Sequence, residues 1–158
     1  MSWFDNLFAR QPDGLAATAA PLPASFAEQA TASLERFQVS SRRAAASLSP
    51  AAYSSLRRIA DHLRPVIAHA QENPILPERE AEIMAIITDY APTSVELFLR
   101  LPAHERLDEG RGDRMLQEQL VKVESATKTM ATRIEDDSFT ALAAQAIFID
   151  MKYRHPGS

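Results

Sequence analysis

The chain has 158 residues, with 17 Lys or Arg against 21 Asp or Glu, a formal charge of -4, no cysteine and only 4 glycines. That length fits one domain of ordinary size, and the missing thiols exclude a disulfide framework, a cysteine nucleophile and a sulfur-ligated metal, as suits a reducing cytoplasm. Interspersed acids and bases lack the one-sided basic surface of a nucleic-acid binder, and no apolar run reaches the roughly 20 residues of a membrane-spanning helix.

Abundant alanine and little period-two alternation point to helices throughout. In residues 1–10, MSWFDNLFAR, Ser2 suits a helix cap, and Trp3, Phe4, Leu7 and Phe8 then share one face. A helix this short is marginal in water and has to cover its aromatics. Its own bundle, a protein partner's groove and a membrane surface are the three covers, the last disfavoured by a polar face poor in Lys and Arg. Trp3, Phe4, Leu7 and Phe8 are thus the candidate partner-binding residues. Residues 11–24, with Pro12, Gly14, Pro21 and Pro23, read as a linker. Residues 25–155 form the predicted bundle domain.

Ser25 caps a helix carrying Phe26, Ala30, Leu34 and Phe37 on one face. Ser49-Pro50 is a second start, after which Tyr53, Leu56, Ile59, Leu63, Val66, Ile67 and Ala70 keep a helical phase, with Pro65 expected to kink it. Arg57, Arg58 and Arg64 read as a solvated face. Asn73-Pro74 ends this helix. Residues 77–102 carry the densest helix signals: Pro77 with Glu78, Glu80 and Glu82 suits a start, and Ile83, Ile86, Ile87, Tyr90, Leu97, Phe98 and Leu101 recur at three- and four-residue steps. Pro92 interrupts that phase, so a kinked helix is expected, with the hydroxyls of Thr93 and Ser94 serving backbone groups freed by the proline.

Gly110 and Gly112 read as breakers in a connector, with Asp113 as the next cap. Leu116, Leu120, Val123, Thr127, Met130 and Ile134 then form an a/d seam. Glu135-Asp136-Asp137-Ser138 reads as a polar break in which Asp136 or Asp137 caps a last, antiparallel helix whose inward face is Phe139, Leu142, Ala146, Ile149 and Tyr153. The expected fold is all-α, an elongated antiparallel bundle of about five helices with a kinked central one.

No nucleotide-loop or nucleophile-elbow motif occurs, so no catalytic residue is assigned. His62 and His69 stand seven apart with Pro65 between them, whereas paired helical ligands favour i, i+4, and they read as surface or core-edge residues. Glu80 is two residues from both Glu78 and Glu82, and alternate positions on a helix do not face each other, so these acids read as a helix start; Met115, Met130 and Met151 read as core or interface filler. No metal and no cofactor are expected.

Tyr90-Ala91-Pro92-Thr93, followed by Val95, Leu97, Phe98 and Leu101, resembles the Tyr-x-Pro-Thr kink of the XpaC-like (5-bromo-4-chloroindolyl phosphate hydrolysis) family. The likeness spans roughly residues 75–155, and Tyr90, Pro92 and Thr93 are the structurally decisive positions. It implies a place in the bacterial envelope or in toxic-anion stress response, in association with toxic-anion resistance proteins, and, by the family name, aryl-phosphate hydrolysis, without catalytic residues to assign. The favoured expectation is a cytoplasmic, non-enzymatic interaction or assembly module that binds a protein partner or forms a homo-oligomer. An aryl-phosphate hydrolase and a peripheral membrane protein are the alternatives.

Overall fold

The computed structural model describes residues 22–154, so the aromatic segment with Trp3, Phe4, Leu7 and Phe8 lies outside the described residues. The fold is all-α. Helix α1 (Phe26–Ala44) opens on a reciprocal cap: Glu28 N–H donates to Ser25 Oγ, and Ser25 N–H donates to Glu28 Oε2 at 2.7 Å. Helix α2 (Pro50–Glu72) starts at Ser49, whose Oγ accepts from Ala52 N–H, with proline at the first helical position. It runs on through Pro65, which lies on the exposed side where water can serve the Asp61 carbonyl that lost its donor.

Helix α3 (Pro77–Ala85) passes without a break through a π turn (Ile86–Tyr90) into α4 (Ala91–Leu99). Pro92 has no N–H to give, and the chain widens just before it: Ala91 N–H reaches back five residues to Ile86 O. Ser94 Oγ donates to Tyr90 O at 2.9 Å, while Thr93 Oγ1 donates to the Asp89 carboxylate at 3.0 Å. Ser94 therefore takes up a carbonyl as expected, and Thr93 bonds a side chain instead. The extra residue of the π turn rotates the helix beyond it, so that Ala91, Val95 and Phe98 face the core while Tyr90, Leu97 and Leu101 are exposed.

Helix α5 (Arg111–Arg154) is one continuous helix of 44 residues. The expected break at residues 135–138 and the separate antiparallel last helix are absent from it. The physical reason is that a nucleated helix adds residues cheaply, and Glu135, Asp136, Asp137 and Ser138 include neither glycine nor proline to stop it. Asp136 and Asp137 are mid-helix residues rather than caps, and Ser138 Oγ donates back to Ile134 O at 3.1 Å. Gly112 likewise lies inside the first turn of α5 and breaks nothing.

The four rods α1, α2, α3–α4 and α5 alternate in direction because short connections join them. Their core is Leu34, Phe37, Leu56, Ile59, Leu63, Ile83, Ile86, Phe98, Leu116, Leu120, Met130 and Ile134. Two cross-links mark the ends of the bundle. At one, Ser49 meets Asp113; at the other, Arg79 meets Asp137. Among the described residues no helix is long and apolar enough to cross a membrane.

Candidate interaction surface

The seam that docks α5 on the body ends at a defined place. Leu116, Leu120, Thr127, Met130 and Ile134 are buried, but the next seam positions are Asp137, Ala141 and Ala144, charged or too small to fill a core. Asp137 turns to Arg79 (Nε–Oδ2 3.0 Å), and the Arg79 guanidinium is held above its ordinary pKa, chiefly by that hydrogen bond. Beyond this clasp the helix leaves the body. Every residue from 138 to 154 is exposed, a projection of about 25 Å at 1.5 Å per residue.

This projecting half is not the polar rod that a solvated helix should be. Phe139 is 72% exposed, Leu142 67%, Phe148 56% and Tyr153 72%, and Ile147, Ile149 and Met151 are also open. At about 100° per residue, Phe139, Leu142, Ala146, Ile149 and Tyr153 fall on one stripe. Ala141, Ala144, Phe148 and Met151 fall on a stripe nearly opposite, which continues the seam of the body. A helix apolar on two sides is characteristic of one packed between neighbours, and beyond Ser138 and Ala141, which share a cleft with Asn73, Pro74, Ile75 and Leu76, none of the described residues packs against it. Phe139, Leu142, Ala146, Ile149 and Tyr153, expected to face inward, instead form an outward stripe, because the turn that would have folded them back is absent.

At the other end of the bundle Leu97, Phe98, Leu101, Met115 and Leu116 line an apolar groove of about 490 Å³, edged by His104, Glu105 and Arg111. Leu97 and Met115 are half exposed there.

The charged groups that come together do so midway along the body. Glu124, largely buried, receives Arg58 Nε at 3.1 Å and lies 3.6 Å from both Lys128 Nζ and His62 Nε2. Arg58 also donates to Ser55 Oγ at 3.0 Å. Arg58, read from the sequence as part of a solvated face, is thus an inter-helix tie between α2 and α5. Glu124 gave no signal in the sequence beyond its place one residue after the seam position Val123. The Nε2 atoms of His62 and His69 have no hydrogen-bond partner, and among the described residues no three His, Asp or Glu side chains are grouped to hold a metal ion. The Glu124 carboxylate is met by Arg58 from across the helix interface and by Lys128 from its own helix, which is the arrangement of a tie between helices.

No family model, no curated protein and no solved structure matches the chain. Sequence reasoning missed the exposed helix itself, and two signals could have found it: residues 134–138 hold no helix breaker, and the apolar residues of 139–153 are spread around the helix instead of along a single stripe.

Proposed function

We propose that the protein is a non-enzymatic helical assembly module, with the four-rod body as a scaffold and the projecting half of α5 as its docking element. The observation that supports this is the exposure of Phe139, Leu142, Ile147, Phe148, Ile149, Met151 and Tyr153 on one rigid helix. An exposed apolar patch of this extent marks a protein-interaction surface on soluble proteins, and aromatic residues with Met are enriched in interface cores. The likeness of Tyr90-Ala91-Pro92-Thr93 to the XpaC-like kink supports a setting in bacterial toxic-anion stress.

The test compares the full chain with the double variant Leu142→Asp/Phe148→Asp, which puts a charge on both stripes and leaves the body core untouched. Association, with itself or with proteins captured from the host lysate, is expected for the full chain and lost in the variant. Identical association by both proteins sinks the proposal.

A further inference from the structure

We infer that the occupant of the Phe139–Tyr153 stripe is the same stripe of a second copy, paired antiparallel. This rests on the projecting helix being a docking element, and the sequence of that helix supplies the direction and the register.

Charge sets the direction. The root of the projection carries Glu135, Asp136 and Asp137, and its tip carries Asp150, Lys152 and Arg154. Asp137 is committed to Arg79 and Arg154 to Asp150 (Nε–Oδ1 3.1 Å), whereas Glu135, Asp136 and Lys152 have no ion pair among the described residues. A parallel pair sets acid beside acid and base beside base. An antiparallel pair sets Glu135 at the root of each copy beside Lys152 at the tip of the other, whereas a parallel pair sets Glu135 on Glu135, and like charges pressed together across an interface select against it.

Spacing sets the register. Phe139, Leu142, Ala146, Ile149 and Tyr153 follow steps of three and four, an a/d stripe of two heptads. Antiparallel pairing matches each a with a d of the partner, so Phe139 of one copy meets Ile149 of the other and Leu142 meets Ala146. A large side chain faces a small one at the centre, as interdigitating helices require. Tyr153 then falls opposite Glu135, an acceptor for its hydroxyl. The stripe points away from the direction in which α5 meets its own body, and the antiparallel arrangement leaves the two bodies at opposite ends of the paired rods. Because each helix is already held in shape by its root in the body, little ordering remains to be done on association.

The experiment measures mass by sedimentation equilibrium on the full-length protein and on charge variants. The wild type is expected at twice the mass of the single chain at micromolar concentration. Glu135→Lys alone, and Lys152→Glu alone, each place like charges at both contacts and are expected to associate at least about tenfold more weakly. Mixed in equal amounts they restore both attractions and are expected to form a heterodimer. Leu142→Asp is expected to give monomer, while Phe148→Asp, on the opposite stripe, leaves the dimer intact.

A dimer indifferent to charge reversal and to Leu142→Asp overturns the inference. So does a monomeric wild type, whose cause further measurements separate. If Trp3, the single tryptophan, shifts its emission on Leu142→Asp, the N-terminal segment covers the stripe instead. If the monomer captures a protein that the Leu142→Asp/Phe148→Asp variant does not, the docking function stands with a different occupant. If both capture the same proteins, that function falls as well.

Discussion

Ser49 Oγ donates to Asp113 Oδ1 at 2.6 Å, joining the first turns of α2 and α5, residues 64 apart in sequence, inside the bundle. Each partner also works locally. Ser49 Oγ accepts from Ala52 N–H, and Asp113 Oδ2 accepts from Glu109 N–H and Gln117 Nε2, both at 2.9 Å. A carboxylate at 1% exposure is tolerable because it is met by three donors and sits in the positive first turn of a helix.

Asp113→Ala removes the acceptor of all three bonds and leaves the Glu109 N–H and the Ser49 hydroxyl without it. A loss of about 2–4 kcal/mol in urea-unfolding free energy is expected, since bonds to charged groups are each worth about 1.5–3 kcal/mol and are not additive. Ser49→Ala, which keeps the carboxylate's two other donors, is expected to cost about 1–2 kcal/mol. An equal cost for the two variants would show that the three bonds are not shared as described.

The turn before α5 makes opposite predictions at two nearby residues. Glu109 holds φ at 61°, a left-handed conformation that costs a non-glycine residue about 1 kcal/mol. Glu109→Gly is therefore expected to raise the midpoint of thermal unfolding. Gly112→Ala is expected to lower it, because an added Cβ would collide with the Glu105 carbonyl and stand 2.8 Å from Leu101 Cδ1. Overpacking of this kind costs about 1–3 kcal/mol. Differential scanning calorimetry reads both.

For the tie at Glu124, Arg58→Met is expected to be mild, within about 1 kcal/mol, because Arg58 is half exposed and screened by water. Glu124→Leu is expected to be tolerated to a similar degree, since Arg58 and Lys128 are each half exposed or more and turn to water when their carboxylate is removed. A loss several times larger in either variant would assign the cluster a role beyond holding α2 to α5.

Ser138→Pro tests whether the projection is an independent extension. Proline at this position removes the donor to Ile134 O and clashes with the preceding turn. The far-ultraviolet signal should fall by the contribution of residues beyond 138, while the unfolding midpoint of the body stays nearly unchanged. A collapse of that midpoint would mean that the projecting half carries core contacts.

The body was legible because its signals agree with one another. Ser25 with Glu28, Ser49 with Pro50 and the seam from Leu116 to Ile134 each combine a local start signal or period with a matching buried face. The Pro92 disturbance was legible as a kink, but not its form, since whether a chain answers a proline by bending or by widening one turn depends on what packs around it. The acidic run at 135–138 was misread because aspartate and serine suit both a cap and a helix surface, and only the presence or absence of a reversing turn separates the two. The Asp113 network was only partly visible, for a different reason: Gln117 stands four residues on in the same helix, but Ser49 and Glu109 come from the start of α2 and from the connector, and spacing within one helix carries no trace of them.

The continuity of α5 has a metric consequence. With no hinge between Arg111 and Arg154, anything gripped by the far half is held at a separation from the body counted in residues, about 1.5 Å and 100° of rotation for each. Inserting one residue near position 138 would swing the Phe139 stripe to a new bearing, whereas seven would nearly restore the bearing and lengthen the reach by about 10 Å. The helix works as a ruler as well as a grip.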